Sequence, residues 1–514
     1  MPKKNKLLRS IRLGFLCVGM VALGANASES TLPSPQNELL TQDYSRPSVR
    51  ITDASFPIGV PHSPIFNPRN FGAKGDGVTH DTVALQKALD ACAGTGGSVV
   101  LAPGKYVSAQ LTLHGRMTLF LQKGAILLGS TNLDDYPLVS EGIPANPTIT
   151  KQSRCLLFAC NVDDLTIDGE GEIDGRCQAM NIPDDLKAPG TESKRPSLIC
   201  VFRSANVAVR NTTLRNPCMW TQIYLDCDKL LIEHVSVNAP PNCPNLDGMD
   251  ICDCHDVVIR NCDIKSEDDS ICLKTYNRRG LENIHIENNR IRSFSANAIK
   301  LGSVTKGPVS NIEIVSNLVT YAKYSGLCIE SVDGSDINNF VVRNLDMYRV
   351  NNPIFIRLAH RSGNTGSITN VLLENIRAYE TGLPTVETSE KAPSPPSCTI
   401  TGIPKAKIAG VRLKNCYIEM PGGLAKIPPA PKEYEDKYPQ STMFGILPAY
   451  GLYVRHAEDV VLEQVYFGRY QPDVRPWLQV GDANVKQMVC RDLKQINPAA
   501  TVKIIDPAKN DTRH

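Results

Sequence analysis

The sequence predicts an all-β chain wound into a single-stranded right-handed parallel β-helix, with a short capping helix at its N-terminal end. Three observations lead there. Strands with apolar residues at alternate positions recur at a near-constant step, which marks a solenoid. A second short strand accompanies each copy. The long helices that a doubly wound α/β fold needs between its strands are missing.

Read from its start, the chain opens with Lys3, Lys4, Lys6, Arg9 and Arg12, followed by a mostly apolar run from Ile11 to Leu23. Ala25-Asn26-Ala27 then offers a small-residue cleavage site, so residues 1–27 read as a signal peptide. The apolar run is short for a membrane span, and no later stretch reads as one. Cys17 lacks small residues just before it, which argues against a lipoprotein signal. The expectation is an exported monomer, periplasmic or secreted, with no membrane span. Residues 28–62, rich in Pro and Ser, read as a linker or N-terminal arm, and 63–514 as the β-helix domain. Asp81-Thr82 begins a helix whose apolar positions are Ala84, Leu85, Ala88, Leu89 and Cys92, and Gly94 ends it. Open solenoid ends expose apolar strands, so this helix is expected to plug the first coil.

The repeat follows. Strands start at Val207, Leu230, Val257, Ile284, Ile312 and Phe340, in steps of 23 to 28 residues, and continue at Val371, Val411 and Val460 with longer steps. The lengthening implies inserted loops, placed near 378–410 and 420–450. The companion strands include Ile223-Tyr224-Leu225, Met249-Asp250-Ile251, Ile271-Cys272-Leu273, Ile299-Lys300-Leu301, Leu327-Cys328-Ile329 and Ile354-Phe355-Ile356. Their flanking apolar residues should line the tube and their middle residues point out. Asn211, Asn261, Asn288, Asn344, Asn375 and Asn415 close strands, and Asn tolerates the left-handed backbone that turns a chain.

Composition narrows the function. The chain has 55 Lys and Arg against 53 Asp and Glu. Losing residues 1–27 removes five basic residues and no acidic ones, turning a net charge of +2 into about −3. That balance excludes the strong cationic field of a nucleic-acid binder. Sixteen cysteines remain, and Cys252, Cys262 and Cys272 recur every ten residues within strand-like segments. A mostly reduced, stacked set with one or two disulfides is expected. No zinc-ligand spacing is present, and neither a metal nor another cofactor is expected.

The chemistry lies in carboxylates. Asn245-Leu246-Asp247-Gly248 introduces one companion strand and Glu267-Asp268-Asp269-Ser270 the next, 22 residues on from Asp247 to Asp269. Stacked rungs lie about 4.8 Å apart, so Asp247, Asp268 and Asp269 should gather on one rigid face. Crowded carboxylates cannot all ionise together, and one protonated acid beside ionised partners is what glycosidic cleavage needs. Read alone, Asp247-Gly248 is also an ordinary turn signal. Further outward residues, Lys274, Lys300, Glu330, Arg357, His360 and Arg361, extend the face as candidate substrate contacts, and the cations among them could hold an anionic substrate.

At these residues the chain resembles glycoside hydrolase family 28, the polygalacturonases and their relatives, which share a pectin-lyase-like solenoid. Asn-Phe-Gly-Ala-Lys-Gly-Asp-Gly at 70–77 resembles the opening of that family, Asn245 to Gly248 stands where the family has N-T-D-G, and Asp268-Asp269 where it has D-D. The resemblance runs from about Phe66 to Tyr466 and implies an inverting hydrolase of a pectin-like polysaccharide, without cofactor. It implies Asp268 as general acid, with Asp247 and Asp269 positioning and deprotonating water. Two departures stand out. Ala296-Asn297-Ala298 replaces the family's G-H-G, and Cys328-Ile329-Glu330 aligns with its R-I-K. An anion at 330 disfavours galacturonate there, and a neutral sugar, as in rhamnogalacturonan, fits better. Asn245, Asn297, Tyr450, Tyr453, Arg455 and His456 complete the expected cleft. Phe444 to Gly451 resembles a subset of bacterial members, and the long loops around it suggest attack at chain ends. Two rival readings remain: a β-helix polysaccharide lyase using Lys274 or Lys300 as base, and an inactive carbohydrate-binding protein.

Overall fold

Alternating apolar residues can bury one face of every strand only if the strands close around a shared interior, and the chain does this by coiling. In the computed structural model the described residues are 59–138, 154–180, 182, 195–241, 243–382, 396–488 and 490–495. The predicted signal peptide and all but the end of the 28–62 arm fall outside them. Every strand ladder is parallel, each strand pairing with its counterpart one coil away, as 222–225 with 249–252, then 271–275, then 299–305. Three strands make each coil through the middle of the chain, so three parallel sheets form the tube's walls. This is the β-helix that the repeat predicted.

The interior is built of in-register ladders. Ile251, Leu273, Leu301, Ile329, Ile356, Ile400 and Val454 stack one above another, each at most 1% exposed. Burying such a side chain contributes about 1.5–3 kcal/mol, and the repetition spreads that stabilisation along the tube. The N-terminal plug is the helix Thr82–Cys92, which buries Ala84, Leu85, Ala88, Leu89 and Cys92 as its spacing requires. Asp81 precedes it without a side-chain cap. Its carboxylate instead accepts from the backbone of Lys74 and Gly75, tying down the preceding loop.

All six strand-closing asparagines sit at positive φ, between 51° and 61°. Asn375 donates to Asn344 at 2.9 Å and Asn415 to Asn375 at 2.7 Å, an external amide ladder. A second, buried ladder joins Asn289 to Asn317 and to the Cys262 backbone.

Three expectations need correction. Tyr224 points into the core, while Ile223 and Leu225 face out, because its strand registers Tyr224 with Ile251. The span 378–410 is not all insertion, since Cys398–Thr401 forms a full rung between 354–358 and 452–455. No disulfide forms among the described residues. The sixteen cysteines from Cys92 to Cys490 are unbridged, most of them buried.

Candidate active site

The loops that enter the second strand of each coil are stacked as tightly as the strands. Thr221 N donates to Asp247 O, Gly248 N to Asp269 O, Ser270 N to Asn297 O, and Ala298 N to Ser325 O. This backbone ladder sets Asp247, Asp269 and Asn297 in one column. Gly248 has no positive φ, so turn chemistry does not explain it. A Cβ there would lie 2.4 Å from the Ser270 carbonyl, so glycine lets the two rungs close. Asp268 is pinned by its own carbonyl, which accepts from Ser266 Oγ at 2.6 Å and Ser293 Oγ at 2.8 Å. The adjacent column runs Asp250, Cys272, Lys300, Cys328.

Five carboxyl groups (Asp247, Asp250, Asp268, Asp269 and Glu330) therefore share two ammonium groups, Lys274 and Lys300. The pairing divides them. Lys300 Nζ donates to Asp269 Oδ2 at 2.9 Å, and Asn297 gives Asp269 Oδ1 two further hydrogen bonds, from its backbone N at 3.0 Å and from Nδ2 at 2.8 Å. Burial alone would raise Asp269, yet Lys300 and these donors hold it below the ordinary carboxylate range. Lys274 donates to Asp250 and lies 3.8 Å from Asp247, with its ammonium 3.6 Å above the Trp220 ring. Both lysines stay protonated, because these carboxylates outweigh the burial that would lower them.

The remaining carboxyls have less compensation, and of them only Asp250 accepts from a cation. Burial first, then neighbouring Asp250 and Asp268, push Asp247 well up. Asp268 rises to about 6, through burial and then the Asp269 charge. Asp250 also reaches about 6, its burial outweighing Lys274. Glu330 reaches about 7 through burial; its Oε1 contacts Cys328 Sγ at 2.9 Å and its Oε2 has no partner. Asp268 is the part-exposed aspartate, whereas Asp247 and Asp269 are 3% and 4% exposed. The arrangement thus presents a proton-holding carboxyl to solvent beside an ionised one. Asp247, Asp269 and Cys272 also offer donor atoms within 4.8 Å of one another. Lys274 and Lys300 already supply the counter-charge there, so a cation would have to displace them.

Several expected substrate contacts have other partners. Tyr450 is fully buried in the core, its hydroxyl 2.5 Å from Asp492, so it does not line a cleft. Arg357 is equally buried and donates to the carbonyls of Gly402, Glu433 and Tyr434. Arg455 donates to those of Pro431 and Lys432. His456 bridges Glu433 and Asp482, and the His360 backbone donates to Glu435 O. These four residues fasten the insertion between Gly422 and Gly451 to the tube. Arg361 is held by both oxygens of Asp333. Asn245 Oδ1 accepts from Arg195 at 2.8 Å, which shapes the turn before Asp247.

Asp250, Trp220 and Tyr438 join the site without having been singled out. Asp250 carried a signal, as the outward middle residue of a companion strand. Trp220 sits in an aperiodic turn. Tyr438 reaches the site from the insertion, where its hydroxyl accepts from Lys300 Nζ at 3.1 Å, and nothing in the repeat points to it.

The family model described as "Glycosyl hydrolases family 28" matches residues 106–420, well over half of the chain, and a rhamnogalacturonase A/epimerase, pectate lyase-like model matches 65–129. The chain is 28% identical over 297 residues to a probable polygalacturonase of Vitis vinifera, covering 54% of this chain and 60% of that protein. It is 26% identical over 393 residues to an exo-poly-alpha-D-galacturonosidase of Dickeya chrysanthemi, covering 66% and 64%. It thus spans less than two thirds of the length of either relative. The fold is similar to that of a family 28 exopolygalacturonase of Yersinia enterocolitica, with a TM-score of 0.61 at 21% identity, over 85% of this chain and 79% of that one.

Proposed function

The chain belongs to glycosyl hydrolases family 28, and from that membership and the aspartate geometry we propose that it hydrolyses α-glycosidic bonds of a pectic polysaccharide with inversion of configuration. One observation carries the reading: adjacent carboxyls on one rung are driven to opposite charge states, Asp269 ionised by Lys300 and Asn297, Asp268 keeping its proton to about pH 6. Asp268 gives its proton to the leaving oxygen. Asp269, with Asp247 beside it, positions a water and takes a proton from it as the water attacks the opposite face of the sugar. Asp250 is fully buried under Lys274, so that carboxyl stays out of the transfer.

The protonated state of both lysines supports hydrolysis over proton abstraction, since a lyase base must be free to accept. Glu330 is fully buried on the rung beyond Lys300, where it brings a carboxyl and no cation to that side of the site, which supports a neutral sugar at the central subsite, as in rhamnogalacturonan. Export after loss of residues 1–27, to the periplasm or beyond, belongs to the same reading, and sequencing the mature N-terminus tests it. Incubation with defined pectic oligosaccharides, following products and their anomeric configuration by NMR, tests the chemistry. Inverted reducing ends support it; an unsaturated product, or none from any pectic glycan, refutes it.

A further inference from the structure

Of the three aspartates, Asp247 has the least to hold its carboxyl among the described residues. Asp269 accepts from Lys300 and Asn297, and Asp268 from the Asp269 backbone. Asp247 Oδ1 has no partner, and Oδ2 has only the Lys274 ammonium, at 3.8 Å. The direction of this carboxyl is therefore set by the backbone of the turn that carries it. That turn leans on Arg195, which stands at the entry to strand Ser197–Phe202, two rungs before strand Met249–Cys252. Arg195 is fully buried, and its guanidinium reaches across the stacked turns. Nη1 donates to Cys218 O at 3.1 Å, one rung on, and to Pro244 O at 2.6 Å, on the next. Nη2 donates to Asn245 Oδ1 at 2.8 Å, and Cys243 Sγ lies 3.4 Å from Nη1. All of these acceptors are neutral, so the buried charge is held by the turns and not by a salt bridge. The two turns also meet at the aspartate itself, where Thr221 N donates to Asp247 O at 2.8 Å. Asn245, at φ 62°, makes the reversal that sends Leu246 into the core and leaves Asp247 beside Asp268 and Asp269.

Building on the hydrolase reading above, we propose that Arg195 is a positioning residue for that reaction, clamping the turns at 218–221 and 243–247 together and so fixing where Asp247 holds the attacking water. It acts through Asn245 and the backbone, not on the sugar. A guanidinium suits the task because separate nitrogens of one rigid fork reach a carbonyl and an amide oxygen at once, which a lysine ammonium does not reproduce. A displacement of about 1 Å in a reacting group costs about a hundredfold in rate, so loosening the clamp falls on turnover and leaves substrate binding alone.

The test compares kcat and KM on a defined pectic oligosaccharide for the wild type, Arg195→Lys, Asn245→Gly and the double variant, with melting followed by circular dichroism. Asn245→Gly removes the acceptor while glycine keeps the positive φ, so it decides the question even where an Arg195 variant does not fold. Each single variant should lose about ten- to a hundredfold in kcat with KM within about twofold of wild type. The double variant should be no slower than the slower single, because both changes break one contact. Losses that multiply in the double variant, or a raised KM with kcat intact, would overturn the clamp. A lowered melting temperature with wild-type kcat would overturn it too, leaving Arg195 a purely structural role and the hydrolase reading intact. Absence of hydrolysis by the wild type on every pectic glycan would sink both readings.

Discussion

Replacing Asp268 by Asn should make the protein more stable and far less active. The Asp268 carboxyl titrates at about 6 in the folded chain against 3.8 as a free side chain, because burial and then the Asp269 charge oppose its ionisation. Between those two values the folded chain binds more protons than the unfolded one. Stability from this group is therefore complete below pH 4, falls as pH rises through about 6, and stays low above. The gap, at about 1.4 kcal/mol per pH unit, sets a penalty of about 3 kcal/mol on the ionised group at neutral pH. An amide carries no such penalty and can still accept from the Asp269 backbone N, as Asp268 Oδ1 does at 2.8 Å. Asp247 and Asp250 are also raised in part by Asp268 and ionise more readily once it is gone, which returns some of the gain. Urea denaturation should thus show Asp268→Asn about 1–3 kcal/mol more stable than wild type near pH 7.5, and equal to it near pH 3.5. Turnover should fall by about 10²–10⁴. A variant no more stable at neutral pH, or one equally favoured at both pH values, would refute the perturbed carboxyl; near-normal turnover would refute its role as acid.

The neighbouring aspartate should behave in the opposite way. Asp269→Asn leaves the buried Lys300 ammonium unpaired and should cost about 3–5 kcal/mol by denaturation along with nearly all activity; stability equal to wild type would contradict the pairing. The kcat/KM profile should decline as pH rises through about 6, where Asp268 loses its proton, and its acid limb should lie below the ordinary carboxylate range, where Asp269 is held; a profile still climbing at pH 8 rules out the assignment. Glu330→Lys should move the ratio of kcat/KM values toward substrates with a uronate at the central subsite, by about tenfold or more; an unaltered ratio would detach position 330 from specificity.

The fold was legible because a solenoid repeats its instructions. Each of the six strand-closing asparagines carries the same backbone demand, and five of the six companion strands put their middle residue outside as the alternation implied. The exception is instructive. Ile223-Tyr224-Leu225 is apolar throughout, so alternation sets no phase, and the register with Ile251 decides that Tyr224 turns inward. The aspartate trio was legible for the same reason, since one coil of spacing becomes one rung of distance. The cations were not. A charged residue at an outward position reads as a substrate contact until the partner is known, and the partners of Arg357 and Arg455 are backbone carbonyls of an aperiodic insertion. Tyr438 was hidden likewise, because it is 138 residues from Lys300 in sequence and belongs to no repeat.

What the coil contributes to the chemistry is the ability to hold like charges together. Two carboxylates on a mobile loop would relieve their repulsion by moving apart, and their pKa values would return toward normal. Here Asp247 and Asp269 ride on rungs locked by backbone hydrogen bonds on both sides, above interior ladders that cannot shift without opening the core. The repulsion must then be answered by protons and cations instead of motion. Lys300 neutralises Asp269 and Lys274 offsets part of the burial of Asp250, and the remaining charge is left to proton uptake at Asp247, Asp250, Asp268 and Glu330. The same rigidity makes the position of each cation decisive, because pairing fixes which carboxyl stays ionised and which keeps a proton. Exchanging the partner of Lys300 would exchange acid and base. The hydrogen bonds from Asn297, in the place where the family has histidine, reinforce the choice of Asp269 without adding a titrating group, so the acid limb of activity should reflect carboxyls alone.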